Sequence, residues 1–165
     1  MKNRSYIRKN SGFTLIEMIV TVTIVAIFAS IALPSFSQLI KSNRVSTSTN
    51  EFVSALVLAR SEALKRSRNV RVCTSSNLTS CSGSETDFSK GWIVEADTDT
   101  AAKNVIKVHD GFENIYIGGG GKEITFQFSG RLGVAGATFD VGHASDDLVK
   151  KVVVNRFGRI RSEDQ

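Results

Sequence analysis

The chain has 165 residues, 41% hydrophobic and 22% charged, with a formal net charge of +5. That length supports one domain with a real core, and the composition excludes wholesale disorder. The charge is uneven, so the overall balance says little about partners and directs attention to local clusters.

Residues 1–12 carry Lys2, Arg4, Arg8 and Lys9 and no acid. The apolar run that follows, "FTLIEMIVTVTIVAIFASIAL", spans residues 13–33 and contains one charge, Glu17. As a helix it is about 32 Å long, close to the roughly 30 Å of a bilayer core. The basic flank predicts a cytoplasmic N-terminus. A signal anchor and a cleaved secretory signal both fit this outline, although no small-x-small cleavage site follows the run. Neither accounts for Glu17, since a carboxylate at membrane depth costs roughly 2.5–3.5 kcal/mol on insertion scales. Pro34 follows, where it removes one helical hydrogen bond and permits a kink.

Beyond Pro34 the helical pattern continues. Phe52, Leu56, Ala59 and Ala63 form an apolar stripe, which Val53, Val57 and Leu64 widen. Lys41, Arg44, Arg60, Lys65 and Arg66 lie mainly off it, the pattern of an amphipathic helix covering a sheet rather than of a DNA-reading helix. From residue 69 onward the composition turns to β. Candidate strands are 69–74, 91–96, 104–109, 113–118, 122–128, 137–141 and 149–155, separated by Gly, Asp, Asn and Ser clusters. The run "GGGG" at 118–121 reads as a hairpin turn between two of them, with no GKS or GKT after it to make a phosphate loop. One long helix followed by strands defines an α+β chain.

Cys73 and Cys81 bracket "CTSSNLTSC", a spacing that fits neither a redox C-x-x-C nor a zinc site. In an oxidising compartment a disulfide closing this short loop is the expected state. His109 and His143 are isolated, and Asp97 and Asp99 read as a solvated turn. No nucleophile elbow, HExxH or paired-carboxylate motif appears, so neither an enzyme nor a cofactor or metal site is expected. The last positive cluster is Lys150, Lys151, Arg156, Arg159 and Arg161, followed by Glu163 and Asp164.

The segment "GFTLIE" behind a short basic leader resembles the class III signal of type IV prepilins and pseudopilins. That resemblance implies cleavage by a prepilin peptidase between Gly12 and Phe13, N-methylation of Phe13, and an assembly role for Glu17. An ammonium on Phe13 of one subunit would pair with Glu17 of its neighbour and offset the cost of burying either charge. The run "FVSALVLARSEALKRSRNVRVCTSS", with "KGWIVEADTD" after it, is similar to the FimT/GspH group of minor pilins and pseudopilins. The group implies a pilin fold: a long N-terminal helix packed on a C-terminal antiparallel sheet or sandwich. The expected organisation is a cleaved leader (1–12), a transmembrane and assembly helix (13–34), an amphipathic helix (35–68) and a periplasmic β-rich domain with a basic tail (69–165).

FimT-like members that capture DNA carry a C-terminal Gly-Arg-x-Arg motif, matched here by Gly158, Arg159, Ile160 and Arg161. The resemblance implies non-specific binding of double-stranded DNA by these residues, extended by Arg156, Lys150 and Lys151, in the service of DNA uptake. If Ile160 faces the core of a strand, Arg159 and Arg161 share the opposite face. Gly158 would let the backbone bend or approach the duplex. About three phosphate contacts would give a log K against log salt slope near −2.7. The alternative is a structural minor pilin or a GspH-like pseudopilin that primes assembly without DNA. The expected partners are DNA, other pilins, the prepilin peptidase and the inner membrane, with final placement in a surface pilus.

Overall fold

The computed structural model describes residues 12–98, 103–145 and 148–164. The basic leader up to residue 11 and Asp99 lie outside the described residues. The chain divides into two compact units, residues 1–39 and 40–165, and the boundary falls inside one helix. That helix, α1 (Leu15–Arg66), has 52 residues and continues through position 34.

In the first unit α1 opens with Thr14, whose Oγ1 accepts the Glu17 backbone N–H at 3.3 Å. A hydroxyl three residues ahead of an acid is a favoured helix start, and a carboxylate in the first turn suits the positive end of the helix dipole. Side chains from Phe13 to Leu33 are almost all exposed, so this apolar surface has no cover within the unit.

The second unit holds the core. Along α1, Val45, Phe52, Ala55, Leu56, Ala59 and Ala63 are buried, which confirms the stripe. Val57 and Leu64 sit at its margin, each about half exposed. The helix ends at Ser67, whose positive φ lets the Arg68 N–H reach the Ala63 carbonyl at 3.2 Å.

Among the described residues eight strands follow: β1 (Val70–Thr74), β2 (Trp92–Ala96), β3 (Asn104–His109), β4 (Ile115–Gly118), β5 (Glu123–Phe126), β6 (Gly136–His143), β7 (Val149–Asn155) and β8 (Ile160–Asp164). They form two antiparallel four-stranded sheets, ordered β3-β2-β1-β5 and β4-β6-β7-β8. Inward residues of both sheets, Val72, Trp92, Val94, Ile124 and Phe126 from one and Ile117, Phe139, Val141, Val152 and Val154 from the other, join the helix stripe in one cluster.

Two expectations are corrected. The "GGGG" run is not a hairpin turn, because β4 and β5 belong to different sheets; it is the crossover between them. Gly120 lies against Phe139, where an added Cβ would come within 2.2 Å of the ring. The C-terminal basic stretch is not a tail either, since residues 160–164 form β8 against β7.

Cys73 and Cys81 are joined by a disulfide across a separation of eight residues. Closing so short a loop removes about 2–3 kcal/mol of unfolded-chain entropy. Cys73→Ala/Cys81→Ala should lower unfolding stability by that amount, read by urea titration of the detergent-solubilised chain. These cysteines and Glu95 also lie within ligand range of one another. All three are committed elsewhere, the thiols to the disulfide and Glu95 to an ion pair with Arg71 on β1.

Across the β2–β3 connection Lys103 pairs with Asp97, whose backbone N–H also reaches the Asn69 carbonyl at 2.9 Å. Asp97 is thus an ion-paired strand end rather than a solvated turn. The Lys103 hydrogen bond holds its carboxyl below the ordinary value of 3.8 against an opposing effect of burial, with Asn69 and Arg71 adding to the lowering. A lowered folded pKa contributes stability above the unfolded value that is lost as pH falls through the folded one. Asp97→Asn should therefore weaken the fold near neutral pH and flatten its acid dependence below about pH 4, measured by thermal unfolding.

Candidate nucleic-acid interface

The β7–β8 hairpin is built around Asn155. Its Oδ1 accepts the backbone N–H groups of Phe157 (3.0 Å) and Arg159 (2.9 Å), and its carbonyl accepts the Gly158 N–H at 2.8 Å. Asn stabilises turns in this way because its side chain mimics a backbone acceptor. Gly158 closes the turn at φ +77°, the left-handed conformation that three-residue hairpin loops place at this point.

Gly158 is buried, so it does not face a duplex as expected from sequence. A Cβ there would lie 2.1 Å from the Gly130 carbonyl oxygen and 3.0 Å from Arg60 Nε. The glycine serves close packing of the turn on the β5–β6 loop. Arg60 of α1 fastens both pieces, donating to Gly130 O at 3.2 Å and to Phe157 O at 3.3 Å. The Leu132 N–H adds a bond to Arg156 O at 3.2 Å.

On this support stand the cations. Ile160 is half-buried against the core, while Arg159 and Arg161 are exposed, as alternation requires. Among the described residues Arg159 has no carboxylate partner. Arg161 does: its Nε meets Glu163 Oε1 at 2.6 Å, two residues along on the same strand face. Arg156 is exposed, with its guanidinium carbon 5.3 Å from the Phe157 ring centroid. Arg131, from the β5–β6 loop, sits 5.1 Å from the same ring. Each such contact is worth about 0.5–1 kcal/mol at an exposed site.

Lys150 and Lys151 do not extend this patch together. They are adjacent on β7, so their side chains leave opposite faces of the sheet. Lys150 is paired with Asp164 at 2.8 Å, and Lys151 stands in register with Glu163, on the Arg161 face.

Sequence reasoning missed Arg131, Phe157, Asn155 and Arg60. Phe157 had one local sign, an aromatic residue set between Arg156 and the glycine of the motif. Arg60 and Arg131 had none, being far away in the chain. At the other end, Gly12 and Phe13 precede α1 and are exposed, and Glu17 lies in its first turn.

An apolar helix half, an acid in its first turn and a two-sheet domain folded on its second half define a type IV pilin-like protein. Residues 48–158 match the profile of the family described as type II transport protein GspH, and residues 7–33 match the prokaryotic N-terminal methylation motif. The chain belongs to the GspH family. Its fold is similar to that of the type IV minor pilin FimU of Pseudomonas aeruginosa, with 21% identity and a TM-score of 0.62 over 73% of this chain and 89% of that one. A second crystal form of FimU gives 0.59, at 21% identity over 72% and 91% of the two chains. The minor pseudopilin EpsH from the type 2 secretion system of Vibrio cholerae is similar at 13% identity and a TM-score of 0.54, over 73% and 97%. No curated protein matches the sequence.

Proposed function

We propose that this chain is a minor pilin that binds double-stranded DNA without sequence preference and assists DNA uptake in natural transformation. The observation that carries the reading is exposed Arg156 and Arg159 on a turn held by Gly158 and Arg60, with exposed Arg131 of the β5–β6 loop meeting Arg156 at the Phe157 ring. Planar guanidinium forks suit phosphate oxygens, and a contact made to phosphates alone carries no sequence information. A single subunit offers few contacts, so several copies in one fibre would supply the avidity.

At the N-terminus, the methylation-motif match supports cleavage between Gly12 and Phe13 by a prepilin peptidase and methylation of Phe13. Glu17 would then pair with the Phe13 amine of a neighbouring subunit during assembly. The exposed apolar half of α1 supports an inner-membrane anchor before entry into a pilus. The domain organisation is proposed to be a leader (1–12), an assembly helix (13–34), an amphipathic helix (35–68) and a periplasmic β domain (69–165).

A second reading, a structural minor pilin or secretion pseudopilin, is favoured by one observation. Arg161 and Lys150 are already neutralised by Glu163 and Asp164. The two readings differ in a gel shift of the detergent-solubilised full chain on mixed-sequence duplex. In the DNA reading, Arg159→Gln should weaken binding more than Arg161→Gln, because Arg161 must first leave Glu163. Glu163→Gln should strengthen it. The parent slope of log K against log salt should be near −2.7 for about three phosphates, falling by about 0.9 for each arginine lost. No shift at low salt, even at high protein concentration, would leave the assembly subunit as the function.

A further inference from the structure

We infer that the Phe157 cluster is a stacking site for single-stranded DNA, so that the patch prefers strands with exposed base faces over intact duplex. This rests on the nucleic-acid reading above and names the form of DNA that this part of the patch takes. Phe157 is 58% exposed at the tip of a hairpin from which Val152, Val154 and Ile160 turn inward. A large aromatic ring in water on a turn otherwise held by polar bonds contributes nothing to the core. It is flanked instead by two guanidiniums, Arg131 and Arg156, drawn from loops 25 positions apart in sequence.

Those same two arginines line an open depression of about 580 Å³, within the usual range of small-ligand sites. Gln127 and Ser129 add an amide and a hydroxyl to its wall. Phe157 is not in that wall, but Arg131 and Arg156 belong to both, so an aromatic platform stands next to cations for phosphates and polar groups for base edges, the combination by which single strands are held.

The physical competition favours this occupant. A base stacked on an aromatic ring is held more strongly than an exposed cation–π contact. An incoming base thus displaces a guanidinium from the ring, and the freed arginine turns to the adjacent phosphate. Duplex DNA cannot make this exchange, because its bases already stack on one another and present only edges and backbone.

The test is fluorescence anisotropy of the detergent-solubilised full chain, with labelled oligo-deoxythymidine and a mixed-sequence duplex of equal length. Phe157→Ala and Phe157→Leu should both weaken oligo-deoxythymidine binding roughly fivefold or more and leave duplex binding within about twofold. Phe157→Trp should retain binding, and its new emission should be quenched by oligo-deoxythymidine. The natural Trp92 is fully buried, so its emission checks that each variant is folded. If the parent binds duplex while the Phe157 variants bind both probes like the parent, or weaken both equally, the stacking site is overturned and phosphate binding stands. If the parent binds neither probe, both readings fall.

Discussion

Phe52→Ala should lower the stability of the second unit by about 3–5 kcal/mol, at the top of the range for a single truncation in the core. Phe52 is fully buried on α1 and touches three aromatic rings, Phe139 at 5.0 Å, Phe88 at 5.2 Å and Trp92 at 5.7 Å between centroids. Trp92 belongs to β2 in one sheet and Phe139 to β6 in the other, so one helical side chain spans the seam between them. Its removal leaves a cavity walled by two sheets and a helix, none of which is free to collapse into it. Edge-to-face ring contacts are lost as well, at about 0.5–1.5 kcal/mol each beyond burial. Against a total stability of about 5–15 kcal/mol, this is a large fraction. The check is urea unfolding followed through Trp92 emission. Phe128→Ala, at a residue 62% exposed, should stay within about 0.5 kcal/mol of the parent. Equal effects at the two positions would show that Phe52 is not the seam residue.

Gly158→Ala should cost about 3 kcal/mol, unusual for a turn. Part is conformational, because φ +77° is costly by about 1–2 kcal/mol for a residue with a Cβ. The rest is collision with the Gly130 carbonyl, which is backbone and cannot rotate aside. Gly121→Ala separates the two effects. It has φ +88° and open space around its Cβ, so it should show the conformational cost alone. In Gly158→Ala the turn must lift off the β5–β6 loop. Arg60 then loses an acceptor, and Arg131 loses its place beside Phe157. Affinity for DNA should fall with stability, although no cation has been removed. Thermal unfolding and anisotropy on the same samples test both. Stability lost with DNA affinity intact would show that the turn need not be docked to present its arginines.

Much of this was legible in the chain itself. The stripe of Phe52, Leu56, Ala59 and Ala63 follows the helical period, and burial along β4, β5 and the second half of β7 follows the period of two. The motif around Gly12, Phe13 and Glu17 and the run through Ala59–Ala63 carried the family resemblance that the GspH match confirms. The β8 strand was missed because "RIRSED" has one apolar residue, too few for alternation to register. Had it been read as a strand, the Arg161–Glu163 pair would have followed, since residues two apart share a face.

What the sequence by itself determined is local: where the helix runs, which face of each element is apolar, which cysteines lie close enough to join, and which leader motif the chain carries. Only the tertiary structure decided that β4 and β5 part to different sheets, that Gly158 serves packing against Gly130, and that Arg60 and Arg131 converge on the Phe157 turn. The reason is physical. Periodicity records the environment of each residue along its own element, and an apolar face reads the same whichever sheet it covers. Which distant elements meet depends on how the whole chain closes around one core, and no short window of residues carries that information.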